Sequence, residues 1–386
     1  MPQEPQITGM SGRHRAVFFW GLVLVFLLVL PVMIFYTTGY RLSFEDDVTT
    51  VVTTGGVYVS TQSLAVDVYL DEDQVERPRL FRSAYYIQNI DAGLRRVVVQ
   101  GEGVQTWVKL VPVDPRIVTE VAAFNVPTTP RLRPITQLQT SAGAAVLEGA
   151  QASTTIFGVG TSTEAYVIAT TSVARTSYTV NPEYEFVQRL FGTSTAAVVN
   201  ESVFAEFRQD QDRFRFVSPQ ERNATTSTST PVVIERNDMR LQSRAEELYA
   251  VWQGSQDNIP YYFCITNTNA STTAARYGQH VAAAVYATST ATSSPIFMID
   301  DRTCRTEIKL DRLRQDVYLF DFFPGSSDLV LLHLQDGLYV TEIDDRSWQN
   351  TQLLLPGVDF QTIIENEVIY IKQNDFYFEI IPEIET

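Results

Sequence analysis

The chain has only two cysteines and three histidines in 386 residues, which limits the chemistry that these side chains can supply. A scaffold held by several disulfides needs more cysteines than this. A zinc site takes closely spaced ligands, four as a rule. None of His14, His280 and His333 has a second histidine or a cysteine at such a spacing, and we place His280 and His333 in separate apolar strands. The sequence therefore predicts no metal site.

The sequence also lacks the short motifs that mark common enzyme classes. It contains no G-x-S-x-G elbow, no Walker loop and no H-E-x-x-H sequence. Two G-x-G sequences, at 101–103 and 158–160, have no third glycine at the spacing of a dinucleotide-binding loop. We therefore predict that the protein uses no cofactor and is not an enzyme.

Basic residues are scarce relative to acidic ones, 29 against 45, so the formal net charge is −16. Binding to a nucleic-acid backbone needs a basic face, and the charge therefore argues against a nucleic acid as partner. Apolar residues make up 45% of the chain, which is ordinary for a folded protein. The length suggests two or three domains.

One long apolar stretch is present near the N-terminus. Residues 16–40 contain no charged side chain, and about 20 apolar residues in a row suffice to span a bilayer as a helix. Two arginines precede the stretch and acidic residues follow it, so the positive-inside rule predicts a cytoplasmic tail at 1–15 and a body outside the membrane. No small-x-small cleavage site follows, which favours an uncleaved anchor at 16–40 over a signal peptide. A buried core helix would show a polar face, which this stretch lacks.

From Gly55 onward the apolar pattern is that of β-strands. Val57 and Val59 alternate with polar or aromatic neighbours, as expected of a half-buried strand. Five segments are short, rich in Val and Tyr, and separated by Gly, Asp or Pro: GGVYVST, LAVDVYL, SAYYIQNI, LRRVVVQG and QTWVKLVPV. They predict a small antiparallel sandwich or half-barrel.

Residues 56–125 resemble a PEGA domain, a small β-sandwich module of prokaryotic envelope and surface proteins. The matching features are Ala65 before the strand at 68–71, Pro78 after the following turn, Gly93 before the second hairpin, and Gly103 ahead of Trp107. Where the family usually has glycine, this chain has Leu64, Glu72 and Glu76, and it has Val104 where the family often has tyrosine. The missing glycines predict altered turns. The resemblance implies a membrane-anchored protein of the bacterial cell envelope, with no enzymatic activity to carry over.

The Pro-rich sequence at 126–134 predicts a boundary or an extended linker. Beyond it, Ser/Thr-rich stretches separate apolar strand-like runs. We interpret them as solvated loops, with glycosylated stalk segments as the alternative. One helix is predicted outside the membrane, in NPEYEFVQRLFG, where Asn181 can cap, Pro182 fits the first position and Gly192 can end the helix.

The tetrapeptide Ile-Asp-Asp-Arg occurs twice, at 299–302 and at 343–346, and each copy lies between apolar strand-like runs. Two further strands, joined by PGSSD and QDG turns, precede the second copy, and Asn374–Asp375 forms a similar turn near the C-terminus. About four strands in 40–45 residues is the length of a propeller blade, so we predict a propeller-like domain over 126–386, with an irregular sandwich as the alternative. The paired aspartates are interpreted as turn residues, with calcium binding and acid–base catalysis as alternatives.

The two cysteines, Cys264 and Cys304, both fall in the part of the chain predicted to lie outside the membrane, where oxidising conditions sustain disulfides. We predict that they pair, and the alternative is two buried free thiols. Trp107, Trp252 and Trp348 are interpreted as packing aromatics, with a sugar-binding platform as the alternative.

Together these patterns predict a mainly β protein: a transmembrane signal anchor, a PEGA-like sandwich and a propeller-like domain. The predicted function is that of a non-enzymatic, single-pass protein of the cell membrane, whose β domains make binding or structural contacts outside it. An envelope protein or a glycan is the expected partner. The alternative is an extracytoplasmic propeller enzyme acting on glycans, with carboxylates far apart in the sequence.

Overall fold

A computed structural model describes most of the chain: residues 12–45, 48–63, 65–77, 84–140, 145–146, 178–192, 232–244, 247–266, 269–286, 296–299 and 302–382. These residues are mainly β, with one long N-terminal helix. The chain divides into two compact units. Unit 1 comprises Met1–Ser60, Arg77–Arg95 and Val111–Ala122, and unit 2 comprises Thr61–Glu76, Arg96–Leu110 and Ala123–Thr386.

Helix α1 (Gly12–Thr37) contains the predicted apolar stretch. It has 26 residues, and at a rise of about 1.5 Å per residue its length exceeds the thickness of a bilayer core, which is about 30 Å. None of its side chains is buried. Of the helices in the described ranges, it is the one long and apolar enough to cross a membrane, as an anchor or as a signal sequence.

Among the described residues between 40 and 123, the strands are β1 (Tyr40–Glu45), β2 (Val48–Thr61), β3 (Val66–Leu70), β4 (Asp73–Gln74), β5 (Ala84–Asp91), β6 (Gly93–Gly101), β7 (Trp107–Val113) and β8 (Val118–Ala123). All five predicted strands are confirmed, as β2, β3, β5, β6 and β7. One sheet has the order β1-β2-β5 with β8 also paired to β2, and the other has the order β4-β3-β6-β7. The predicted alternation is confirmed, since Val57 and Val59 are buried while Tyr58 between them is exposed.

The remaining strands are β9 (Arg131–Ile135), β10 (Leu138–Thr140), β11 (Ala145–Val146), β12 (Tyr178–Val180), β13 (Val233–Arg236), β14 (Met239–Arg244), β15 (Glu247–Trp252), β16 (Cys264–Thr266), β17 (Ile296–Ile299), β18 (Arg302–Arg305), β19 (Glu307–Lys309), β20 (Leu319–Phe322), β21 (Leu329–Leu334), β22 (Gly337–Glu342), β23 (Thr351–Pro356), β24 (Gln361–Glu365), β25 (Val368–Gln373) and β26 (Phe376–Ile381). They form three four-stranded sheets, in the orders β13-β14-β15-β19, β20-β21-β22-β23 and β24-β25-β26-β9. Two three-stranded sheets have the orders β11-β10-β12 and β16-β18-β17.

The predicted hairpins of this region are confirmed. Strands β20 and β21 are joined across the PGSSD sequence, and β21 and β22 by the two residues Gln335 and Asp336. Asn374 and Asp375 connect β25 to β26, and Asn374 adopts the left-handed conformation that such short turns require, with φ of 54°. The Asn, Asp and Gly residues between the apolar runs therefore predicted these turns correctly.

Helix α2 (Pro182–Gly192) is confirmed as predicted. The Asn181 side chain accepts a hydrogen bond from the Glu183 amide at 3.1 Å, so it caps the helix. Val187 and Phe191 are buried against Tyr370 and Tyr377 of the last four-stranded sheet. The apolar face recognised in the sequence therefore packs on β25 and β26.

The segment between β16 and β17 contradicts the strand and loop predictions made for it. It contains helices α3 (Ala270–Tyr277) and α4 (Gln279–Tyr286), so His280 lies on a helix and not in an apolar strand. Asn269 caps α3 by accepting a hydrogen bond from the Thr272 amide at 2.9 Å. The segment 269–273 of a Ser/Thr-rich stretch thus starts a helix, because an Asn cap followed by several alanines favours that conformation. Three further Ser/Thr-rich stretches, at 161–172, 223–231 and 287–295, fall outside the described residues.

The first two of the C-terminal four-stranded sheets share one hydrophobic core. It includes Leu241, Ala250 and Ile308 of the sheet β13-β14-β15-β19, together with Val330 and Leu332 of β21. Strand β9 precedes all of these strands in sequence, yet it pairs with β26 in the last sheet. The beginning and the end of the 126–386 region are therefore joined in one sheet.

Candidate functional site: a buried charge cluster at the second Asp-Asp-Arg sequence

The second Asp-Asp-Arg sequence lies at the start of the loop that joins β22 to β23. Its three charged side chains are buried: Asp344 is 7% exposed, Asp345 4% and Arg346 5%. The turn interpretation is correct in one respect, since Asp344 accepts a hydrogen bond from the Arg346 amide two residues later at 3.0 Å. The burial of all three charges, however, is not a property of an ordinary surface turn.

The first copy has a different environment. Ile299 ends β17 and Arg302 begins β18, and the two residues are partners in an antiparallel pair. Asp300 and Asp301 lie outside the described residues. This copy joins strands of a three-stranded sheet, whereas the second belongs to a four-stranded one. Each copy therefore lies between two antiparallel strands, but the two copies belong to different sheets.

Asp344 is held by two cations. The Arg346 guanidinium donates hydrogen bonds to both of its oxygens, from Nε at 3.0 Å and from a terminal nitrogen at 2.8 Å. The Lys109 ammonium lies 3.3 Å from Asp344 Oδ2 and also donates to the Asp344 carbonyl at 2.7 Å. The side chain of Lys109 is 1% exposed, so this charge is completely enclosed.

Glu342, the last residue of β22, is the second acid in contact with Lys109. Its Oε1 accepts a hydrogen bond from Lys109 Nζ at 2.6 Å and two more from Asn350, each at 2.9 Å. Its Oε2 accepts from the Trp107 indole at 3.1 Å. Both carboxylate oxygens of Glu342 are therefore occupied by donors from β7 and from the β22–β23 loop.

Asp345 completes the cluster on the other side. It forms an ion pair with the buried guanidinium of Arg305, at the end of β18. His280 Nε2 lies 2.7 Å from the carbonyl oxygen of Asp345 and 3.7 Å from Oδ2 of the Asp345 side chain. The His280 side chain is half exposed, whereas Asp345 and Arg305 are enclosed. Asp345 thus ties the sheet β16-β18-β17 to the loop after β22.

The cluster is electrically balanced, since Lys109, Arg305 and Arg346 face Glu342, Asp344 and Asp345. Burial favours the neutral form of Asp344, but the charges of Arg346 and Lys109 outweigh this effect and lower its pKa to about 2. Burial raises the pKa of Glu342, and Lys109 only partly offsets that effect. The pKa of Asp344 is therefore below its ordinary value, and the pKa of Glu342 is above its ordinary value.

Two carboxyl groups with pKa values pushed apart are what acid–base catalysis requires. A substrate must also reach them, and here it cannot, because both carboxylates are enclosed and their oxygens are engaged by Lys109, Arg346, Trp107 and Asn350. The arrangement supports the loop and the strands around it. In the described ranges, no three or more His, Cys, Asp and Glu side chains are grouped as metal ligands.

The predicted cysteine pair is brought together beside this cluster. Cys264 of β16 is the direct partner of Cys304 of β18 in an antiparallel pair, with Cα atoms 4.1 Å apart. The structure joins the two in a disulfide. Cys304 immediately precedes Arg305, so the bridge restrains the strand that carries the Asp345 partner. That the bond forms in the cell stays a prediction.

The three tryptophans do not form the sugar platform considered as an alternative. Trp107 is fully buried under Glu342. Trp252 donates its indole hydrogen to the Ser255 carbonyl at 3.0 Å, and Trp348 is 39% exposed. A platform needs several exposed rings, and Trp107 cannot contribute one.

Sequence patterns did not predict Lys109 or Glu342 as a pair, although one signal was present. In the strand WVKLVPV, the alternation places Lys109 on the same face as Trp107 and Val111, and all three are buried. A lysine on the apolar face of a strand requires an acidic partner, because an unpaired buried charge is very costly. The identity of that partner, 233 residues later, could not be inferred.

No protein-family model matches the chain, and no curated protein is significantly similar to it.

Proposed function

We propose that the chain is a non-enzymatic protein of the cell envelope, anchored by a single membrane-spanning helix, whose β domains make binding or structural contacts outside the membrane. The observation that carries the proposal is α1, which is long and apolar enough to cross a bilayer and buries none of its side chains. A mainly β body follows it. A soluble protein would have to expose this apolar surface to water, which is strongly unfavourable.

The orientation follows from the flanking charges. Arg13 and Arg15 at the start of α1 favour a cytoplasmic N-terminus and therefore a body on the opposite side of the membrane. The juxtaposition of Cys264 and Cys304 supports an oxidising location for the body. Each observation is independent of the other, and both support the same topology.

Two finer features of the fold belong to the proposal. The strands at 56–125 support a PEGA-like module. For 126–386, successive four-stranded antiparallel sheets support a propeller-like domain. The insertion of β9 into the last sheet supports it further, since pairing the first strand with the last sheet is a means of closing a ring.

The charge cluster holds paired acids but lends no support to the alternative of an enzyme. Its carboxylates have the separated pKa values expected of a catalytic pair, but their oxygens are occupied and enclosed. The alternative, a glycan-acting enzyme, needs two accessible carboxylates in a cleft about 5–10 Å apart. The cluster does not offer such a pair.

The topology is tested on intact cells that produce the chain with a tag at each end. Added protease should destroy the C-terminal tag and leave the N-terminal tag on a small membrane-protected fragment. Alkaline carbonate should leave the chain in the membrane. A protected body, or release of the whole chain by carbonate, would contradict the proposal.

Binding and catalysis are separated with the full chain in lipid nanodiscs, incubated with purified cell-envelope polysaccharides. We expect retention of a polysaccharide or of a crosslinked envelope protein, and no release of shorter saccharides. Release of saccharides that increases with time would show the enzyme instead.

A further inference from the structure

The end of α1 is joined to the sheet of unit 1 without a flexible linker. The Gly39 carbonyl accepts a hydrogen bond from the Thr54 amide at 2.8 Å, and the Thr54 carbonyl accepts one from the Arg116 amide at 2.8 Å. Gly39 has φ of +81°, and a Cβ atom there would lie 3.3 Å from Arg116 Cγ. The loop between β7 and β8 is therefore fixed against the C-terminal end of the helix.

Two arginines lie over two tyrosines at this junction. The Arg41 guanidinium carbon is 4.9 Å from the centre of the Tyr36 ring, and that of Arg116 is 4.7 Å from the centre of the Tyr40 ring. Arg116 also donates a hydrogen bond to the Tyr40 hydroxyl, and Arg41 donates one to the Asn89 side chain. Each guanidinium is thereby held in place by a ring and a polar group, at the level where tyrosine favours the bilayer interface.

Both arginines retain capacity for an anion. Arg41 Nε is enclosed and has no hydrogen-bond partner in the part of the chain that the structure describes. Within that part, the ion pairs involve neither arginine. The acidic residue Glu45 ends β1 about 13 Å along the strand from Arg41. Two guanidinium groups outside these ion pairs, each held over a tyrosine ring, suit an oxyanion.

The surface next to Arg116 is apolar. Ile117 and Val118 are 43% and 41% exposed, although they follow directly in the same loop and strand. Exposed aliphatic side chains beside a cation are unfavourable in water but suit the boundary between headgroups and acyl chains. The junction therefore combines cations, interfacial rings and aliphatic groups around the end of an apolar helix.

We propose that Tyr36, Tyr40, Arg41 and Arg116 form a headgroup collar that binds the phosphate of phospholipids around the C-terminal end of α1. The proposal rests on the proposed function, because it requires α1 to span the bilayer. Each guanidinium presents a planar fork that matches two phosphate oxygens. Lipid bound by the collar fixes how the sheet β1-β2-β5 and β8 stands on the membrane surface.

The test is a titration of the full chain, in nonionic detergent, with dioleoylphosphatidylglycerol, with bound lipid counted by native mass spectrometry. Arg41→Gln and Arg116→Gln are each expected to weaken binding about fivefold, and the double variant about 25-fold. Arg95→Gln is the matched control, since Arg95 belongs to the same unit and already pairs with Asp91 at 3.9 Å. We expect it to bind lipid as the wild type does.

Unchanged affinity in the double variant, or an equal loss in Arg95→Gln, would overturn the collar. Equally tight binding of dioleoylglycerol, which lacks the phosphate, would overturn it too. Arg116 is exposed, so Arg116→Gln alone carries the test if Arg41→Gln does not give the far-UV circular dichroism of the folded chain. A chain that resists carbonate extraction but fails the titration contradicts the collar alone, whereas an extracted chain contradicts the anchor itself.

Discussion

Lys109 and Glu342 form an ion pair with Nζ and Oε1 2.6 Å apart, and their side chains are 1% and 4% exposed. They are 233 residues apart in the sequence. Lys109 comes from β7, within residues 56–125, whereas Glu342 ends β22. Both belong to unit 2. The pair therefore links two parts of the chain that the sequence assigns to different domains.

Lys109→Met is expected to lower the free energy of unfolding by about 3–5 kcal/mol, because it leaves Glu342 buried without its cation. Methionine has a similar length, so little volume is lost. The shift is measured as the urea midpoint of the full chain in detergent, followed by far-UV circular dichroism.

Lys309→Met is the matched control for this variant. Lys309 also pairs with a glutamate, Glu247, at 2.9 Å, but its side chain is 57% exposed. An exposed pair contributes at most about 1 kcal/mol. Equal effects of Lys109→Met and Lys309→Met would show that the buried pair has no special role.

Local patterns predicted the local structure well. The five strands of 56–125, the Asn374–Asp375 turn and α2 each follow from residues that are neighbours in the sequence. Period-two alternation, Asx turns and an Asn-Pro helix start all act over a few residues, so a sequence displays them directly.

What the sequence did not display depends on distant residues. The pairing of β9 with β26 joins residues about 240 positions apart, as the Tyr377–Ile135 pair shows. Burial of the second Asp-Asp-Arg sequence depends on Lys109 and Arg305, which are also remote. The helical state of His280 was missed for a different reason, because a short run of alanine and valine fits a strand or a helix equally well.

The disulfide between Cys264 and Cys304 is expected to stabilise unit 2 by restricting the unfolded chain. Closing a loop with a sequence separation of 40 contributes about 3–4 kcal/mol. The double variant Cys264→Ala/Cys304→Ala should therefore have a clearly lower urea midpoint than the wild type under oxidising conditions. In buffer with a strong reductant the two midpoints should converge.

Mass spectrometry decides whether the bond forms in the cell. Envelopes are alkylated without reduction and digested, and we expect one crosslinked peptide that contains both cysteines. Recovery of both residues as alkylated thiols would exclude the bridge and leave two buried free thiols.

His333 is expected to make the fold less stable in mild acid. It is buried on β21, its ring stacks on Phe360 with centroids 4.6 Å apart, and burial lowers its pKa to about 4. Below the unfolded value of about 6.5, the unfolded chain takes up a proton that the folded chain refuses, so stability falls as the pH drops from 6.5 to 4. The loss attributable to this group is about 3 kcal/mol.

The measurement is the urea midpoint between pH 7 and pH 4 for the wild type and His333→Gln. Carboxylates titrate in the same interval, so the difference between proteins is the informative quantity. His333→Gln should be less stable at pH 7 but should lose less on acidification. Parallel curves for the wild type and His333→Gln would contradict the assignment.

The turn between β3 and β4 contains two non-glycine residues with a positive φ. Asp71 and Glu72 have φ of 55° and 104°, in the region that side chains with a Cβ avoid. Asp71 is compensated, because its carboxylate accepts a hydrogen bond from the Arg96 amide at 2.8 Å. Glu72 is exposed, and the two-residue turn of the β3–β4 hairpin requires its positive φ, which glycine adopts at lower cost than glutamate.

Glu72→Gly is therefore expected to raise the free energy of unfolding by about 1 kcal/mol, since glycine adopts a positive φ without a steric penalty. Glu76→Gly is the matched control: it also introduces a glycine in place of an exposed glutamate, but Glu76 does not have a positive φ. There the added freedom of the unfolded chain should dominate and lower stability by about 0.5–1 kcal/mol. Both changes are measured as shifts of the urea midpoint. If both variants shift the urea midpoint in the same direction, the positive φ of Glu72 does not cost the folded state free energy.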